Sequence, residues 1–252
     1  MSHEHPLREF FILLIGATAA LLLILYLSGL LVDKAVQYVD PELESTLFKT
    51  FAGDDAPRSE KEMELQALVD QLAECIDVTY AVRVRIQQSE ELNAFAMPGG
   101  QMIILSAVLE QLQTENGVAF VLAHELGHFK NRDHLRGMGR SIVLLAFSSL
   151  VTGSNSGLTS FLTPVVSAQT ASYSRGRESL ADATALNALN CHYGSVQDAT
   201  EFFELMASEE NQERVETRKW THYFASHPEA QQRVRDLSKL ATDLGYAGLA
   251  KQ

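Results

Sequence analysis

A chain of 252 residues that is 46% hydrophobic and 8% aromatic can bury a core, which excludes wholesale disorder. Lys plus Arg number 20 against 32 Asp plus Glu, and the formal charge of −12 argues against nucleic acid held through phosphate contacts. Two cysteines, Cys75 and Cys191, without CxxC spacing, exclude a disulfide scaffold, a zinc ribbon and a thioredoxin-like site.

Residues 1–9 form a short tail. From Phe10 to Val32 run 23 uncharged residues dominated by Leu, Ile and Phe. As a helix at ~1.5 Å per residue they cover about 34 Å, against roughly 30 Å of bilayer hydrocarbon. A cleaved signal peptide has a shorter apolar region ending at a small-x-small site, and none follows Tyr26. Residues 10–32 are therefore expected to be a transmembrane anchor in the lipid bilayer. Arg8 on one side and Lys34 and Lys49 on the other leave orientation undecided by charge. The short tail favours a cytoplasmic N-terminus with the bulk of the chain translocated.

Residues 33–57 are polar and acidic and read as a juxtamembrane connection with one short helix; residues 58–252 read as one domain. Within it Leu65, Leu68, Val69, Leu72 and Ile76 form one apolar stripe, predicting a helix over Arg58–Ile76. Tyr80, Val82, Val84 and Ile86 alternate with Ala81, Arg83, Arg85 and Gln87, the period of a half-buried strand. Two more strands are predicted around Asn93–Phe95 and Gln101–Leu105, separated by a turn at Pro98-Gly99-Gly100. Beyond Ser106 the chain reads as helical, with Ser106, Thr114 and Ser195 as candidate N-caps. Strands early and helices late give an α+β, mostly α-helical domain with a small N-terminal β-sheet. Ser141–Ser174 carries no charge and is divided by Gly153 to Gly157. It reads as two core helices joined by a loop, the alternative being a hairpin that dips into the membrane or covers an active site. Cys75 and Cys191 read as packed thiols, with one bridge as the alternative in an oxidising compartment.

The chemistry concentrates at His124-Glu125-Leu126-Gly127-His128, preceded by the apolar run Val118–Ala123 that gives it a helix. Histidines four apart stand one above the other on a helix face, so both imidazoles reach one ion. Glu125 projects beside them, where a carboxylate can take and return a proton of a metal-activated water. A catalytic zinc needs a third protein ligand, and the residues leave two candidates. His134 completes a metzincin-like HExxHxxGxxH spacing with Asn131, which tolerates left-handed backbone, in place of Gly. No Met-turn accompanies it, since Met206 lies in an ordinary helical run. Glu178 is the other candidate, one helical turn from Asp182, which can accept the outer N–H of a ligand histidine.

Four motifs in order resemble the HtpX-like and CAAX-prenyl-protease-like integral-membrane zinc metallopeptidases, a branch of the gluzincins. They are Asn93-Ala94-Phe95-Ala96-Met97-Pro98-Gly99-Gly100, His124 to His128, Arg175 to Asp182, and Ser226-His227-Pro228 with Arg233. The resemblance implies a gluzincin-type domain binding one Zn2+ through His124, His128 and Glu178, with Glu125 as catalytic base and Asp182 behind the ligands. It implies that Asn93, Ala94, Phe95 and Ala96 lie on an edge strand to which a polypeptide substrate adds as one more strand. It also implies that His227 and Arg233 lie near the metal, to stabilise an oxyanion or restrain the resting water. One anchor cannot build an enclosed intramembrane chamber, which argues against prenyl-protein processing. The expected function is that of the single-anchor, quality-control type: a zinc endopeptidase cutting unfolded or misassembled membrane and envelope proteins. Its expected place is the bacterial inner membrane, with the catalytic domain on the extracytoplasmic side. The alternative is a membrane-anchored, zinc-containing binding or chaperone-like scaffold that cleaves little.

Overall fold

The computed structural model describes residues 6–48, 58–78, 81–139, 174–210 and 230–248. His227 and all of the uncharged segment Ser141–Ser174 except Ser174 lie outside these described residues.

The apolar run forms α1, Pro6–Ala35, whose most hydropathic stretch is exposed on every side. A helix of this length and composition can cross a membrane. A 3-10 turn at Val36–Tyr38 leads to α2, Pro41–Leu47, where Asp40 accepts the Glu42 N–H at 2.7 Å and Pro41 occupies the first turn. This short helix is pinned to the domain. Glu44, 1% exposed, accepts the Gly99 N–H at 2.9 Å and pairs with His134 at 2.9 Å and Arg132 at 3.3 Å. Burial opposes its ionisation, but His134, the Gly99 N–H and Arg132 together hold its carboxyl below the ordinary range.

Helix α3, Glu60–Cys75, opens on a full capping box between Ser59 and Glu62. Gln66 and Glu62 of this helix face β1, Arg83–Gln87. Gln66 donates to the Val82 carbonyl at 2.8 Å and accepts the Val84 N–H at 3.1 Å, and Glu62 accepts the Ile86 N–H at 3.0 Å. These side chains stand where a neighbouring strand would, so β1 has its outer edge closed. The ladder with β3 begins at Arg83, opposite Gln101; of the earlier residues in the predicted alternation, Val82 bonds Gln66 and Tyr80 lies outside the described residues.

The sheet order is β1-β3-β2, with β3, Gln101–Leu105, parallel to β1 and antiparallel to β2, Ala94–Met97. Gly99 and Gly100, at φ +83° and +74°, supply the left-handed turn between β2 and β3. With β1 closed by α3, β2 is the sheet's remaining edge.

Helix α4, Ser106–Gln111, starts at Ser106, so this residue is not its N-cap; the hydroxyl bonds Ser89 instead. Thr114 does cap α5, Glu115–Lys130, accepting the Gly117 N–H at 3.0 Å. Helix α6, Arg175–Tyr193, ends at Gly194, and Ser195 caps no helix. Its hydroxyl accepts the Gln197 N–H in a turn, and α7, Glu201–Glu210, begins only after Asp198 has turned the chain at φ +60°. Helix α8, Ala230–Asp243, is the last among the described residues.

Leu72 of α3, Ile104 of β3, Phe120 and Leu126 of α5, Leu186 of α6, Phe203 of α7 and Leu237 of α8 belong to one buried cluster. Helix α5 runs through its middle. Gly127 lets α6 press against it: a Cβ there would lie 2.9 Å from the Ala181 Cα. Backbone cannot yield to that contact, so Gly127 sets the spacing of the two helices.

Cys75 and Cys191 are bonded to each other, a correction to their reading as packed thiols. The ends of α3 and α6 meet with a Cα–Cα distance of 5.8 Å, within disulfide reach. Closing a loop between residues 116 apart is worth on the order of 4–5 kcal/mol in chain entropy, and measured bridges more commonly give about 2–4. Replacing both cysteines by serine is expected to lower the thermal midpoint by about 5–15 °C, at roughly 2–4 °C per kcal/mol. Calorimetry of the two proteins checks this, and coincident midpoints refute it.

Candidate active site

Helix α5 stacks His124 over His128 and buries both, with Nε2 to Nε2 at 3.0 Å. Each ring is held from behind. His124 Nδ1 lies 3.0 Å from Asp182 Oδ1, and His128 Nδ1 lies 3.0 Å from Asp133 Oδ2. A carboxylate at Nδ1 fixes the proton there and turns the Nε2 lone pair inward.

From α6, Glu178 completes a triangle. Its Oε2 lies 3.5 Å from His124 Nε2 and its Oε1 lies 3.5 Å from His128 Nε2. Three donors about 2.0–2.1 Å from one tetrahedral zinc stand about 3.3–3.4 Å apart. The observed 3.0, 3.5 and 3.5 Å therefore fit a divalent cation with a fourth position open. Two imidazoles and one carboxylate are also a donor set that catalytic zinc takes.

Glu125 shares a cluster with the two histidines in which the ligating atoms lie within 4.8 Å of one another. Burial, with Glu178's charge adding, pushes its carboxyl up to about 8 against the pull of His124, and its oxygen accepts the Ala96 N–H. His124 is pushed up to about 9: burial and Arg233 oppose its protonation, and Asp182 and Glu178 outweigh them. Its neighbour His128 is driven down by burial, against the pull of Asp133, and the His124 ring 3.0 Å away adds to the effect.

Arg233 of α8 grips the acidic partners. Its Nη1 is 2.8 Å from Glu178 Oε2, its Nε donates to Asp182 Oδ2 at 3.0 Å, and its Nη2 donates to Asp182 Oδ1 at 2.5 Å. The guanidinium lies 4.1 Å from the Phe203 ring centroid, and Phe203 meets Phe120 edge to face. Burial opposes ionisation of Asp182, but Arg233 and His124 hold its carboxyl below the ordinary range.

The main chain of β2 borders this site. Asn93 accepts the Leu105 N–H on the β3 side, whereas the Ala96 N–H goes to Glu125. Alternation then directs the N–H and C=O groups of Phe95 and Met97 to β3 and those of Ala94 and Ala96 to the far edge, which no strand among the described residues pairs.

His124, Glu125, His128, Glu178, Asp182 and Arg233 thus come together, with Ala96 in contact through Glu125. His134 does not join them: Asn131 keeps φ −84° at the end of α5, and the chain turns at Arg132, φ +57°. That turn sends His134 to Glu44. Three partners escape sequence reasoning. Asp133 lies just past the helix that carries the histidines, a position from which an acid can fold back on His128; this was the one available signal. Arg177 and Phe203 carry no signal of their own.

Two curated relatives are similar over part of their length. The Metalloprotease YcaL of Escherichia coli (strain K12) is 27% identical over 162 residues, 62% of this chain and 61% of that protein. The Mitochondrial metalloendopeptidase OMA1 of Saccharomyces cerevisiae (strain ATCC 204508 / S288c) is 27% identical over 154 residues, 58% of this chain and 43% of that protein. The chain thus spans less than two thirds of either relative. The model of peptidase family M48 matches residues 59–241, well over half of the chain, and includes every residue of the triangle. The chain belongs to peptidase family M48.

Proposed function

We propose that this protein is a membrane-anchored, zinc-dependent endopeptidase that hydrolyses peptide bonds of unfolded or misassembled membrane and envelope proteins. The observation that carries this reading is the triangle of His124, His128 and Glu178 donors beside a buried glutamate that accepts the Ala96 N–H of the sheet's outer strand. Zinc held there supplies Lewis acidity, polarising a carbonyl and bringing a water towards ionisation near neutral pH.

The remaining steps belong to the chain's own residues. The edge of β2 binds an extended substrate through the main chain of Ala94 and the carbonyl of Ala96, whose N–H is held by Glu125; such pairing selects little among side chains and suits unfolded polypeptides. Glu125, buried beside the two histidines and steadied by the Ala96 N–H, stands where a carboxylate can take a proton from the attacking water. Once protonated it is acidic enough to return that proton to the departing amine. Asp182 and Asp133 keep the two histidines in the ligating tautomer. Arg233 acts on Glu178 and Asp182, so we assign it to positioning them, and the oxyanion role implied for the pair is left to His227.

The exposed apolar face of α1 supports anchorage in a bilayer. The Cys75–Cys191 bridge supports an oxidising compartment, and hence the extracytoplasmic side of a bacterial inner membrane. Incubating the purified full-length protein with unfolded casein tests the reading. Cleavage that stops with a chelator and returns with zinc is the expected result. Casein binding without cleavage at any zinc concentration would support the scaffold reading instead.

A further inference from the structure

We propose that Arg177 is a positioning residue of the metal centre and couples it to the foot of α1 through the chain Asp33, Arg177, Asp133 and His128. The proposal rests on the reading that His124, His128 and Glu178 bind zinc. Arg177 stands in the first turn of α6, where the helix dipole disfavours a cation, so acidic partners must offset it. Two do so from different parts of the chain. Its Nη2 lies 3.2 Å from Asp33 Oδ1, and its Nε lies 3.3 Å from Asp133 Oδ1.

The other oxygen of Asp133 holds His128 Nδ1 at 3.0 Å, and Asp133 is itself buried. Asp33 is the first charge after the apolar run and lies in the last turn of α1. Beside it Val32 packs on Gly139, where a Cβ would come within 2.6 Å of Val32 Cγ1. Gly139 lies in the helical stretch 133–139 that begins at Asp133. The foot of α1 therefore touches both the arginine and the helix carrying the carboxylate behind His128. A guanidinium is a rigid planar fork, so the seat of Asp33 constrains where Arg177 holds Asp133. When α1 is drawn away from this seat, the ring of His128 loses its bracing and zinc is held more weakly.

The test is zinc affinity of the full-length protein in detergent micelles, by competition with a chromophoric chelator. Partners that directly brace a ligand are worth about 10- to 100-fold in affinity, and Asp133→Asn is expected in that range. Asp33→Asn and Arg177→Gln, one contact further out, are each expected to weaken zinc by about 3- to 10-fold. Asp33→Glu is expected to recover the parent value within about twofold. The double variant is expected to bind no more weakly than Arg177→Gln alone, because both changes cut one chain. The thermal midpoint of metal-free Asp33→Asn is expected within about 2 °C of the parent, which separates bracing from general loosening. Parental zinc affinity in Asp33→Asn, or its full effect persisting beside Arg177→Gln, overturns the coupling alone. A parent that binds no zinc overturns the metal reading and the coupling with it.

Discussion

Glu125→Gln is expected to keep one zinc per chain and to lower casein cleavage by about 10²- to 10⁴-fold, the usual worth of a positioned general base. The substitution is nearly isosteric, and an amide oxygen can still accept the Ala96 N–H that the carboxylate accepts. The three donors of the triangle are untouched. What is lost is the capacity to take up a proton, so turnover should fall while metal content and casein binding stay. Measuring turnover and zinc together on the same preparation is decisive. Cleavage within a few-fold of the parent would refute the assigned role.

Glu178→Ala is expected to lose zinc, whereas His134→Ala is expected to keep it. Removing Glu178 takes one corner from the triangle and also takes from Arg233 the carboxylate oxygen 2.8 Å from its Nη1. The positive charge of Arg233 then faces His124 without that balance. Breaking a buried ion pair from one side costs up to about 3–5 kcal/mol, so this variant should also melt earlier. The damage to zinc should exceed the roughly 10- to 100-fold typical of a residue behind a ligand. His134 bonds Glu44 and lies off the triangle, so its loss should cost stability with metal stoichiometry intact. Metal analysis after gel filtration separates the two. Zinc retained by Glu178→Ala, or lost by His134→Ala, would invert the assignment.

What could be read from the sequence was whatever is encoded locally. The run Phe10–Val32, the stripe of α3, the turn at Gly99-Gly100 and the pair His124 and His128 each depend on spacing within a few residues. That Glu178 and Asp182 would meet the two histidines was legible because one helical turn places both on the same face of α6. The rest depends on which distant segments meet. Cys75 and Cys191 pair because α3 and α6 happen to end side by side, which neither helix records. Glu44 sits in a stretch whose acidity suggests solvent, and only the placement of Gly99, Arg132 and His134 turns it into a buried counter-charge. Ser106 and Ser195 looked like caps because serine before a helical run is a local cue; Ser89 and a tight turn claimed their hydroxyls instead.

The burial of Glu44 bears on where this protein can be cut. A soluble form trimmed to Arg58, where the helical pattern of the domain starts, would strip the counter-charge from Arg132 and His134. It would also leave the amide of Gly99, in the turn between β2 and β3, without its acceptor. Trimming ahead of Asp40 instead keeps α2 and its cap. A trimmed form is therefore expected to hold together when it keeps the aspartate that caps this seven-residue helix.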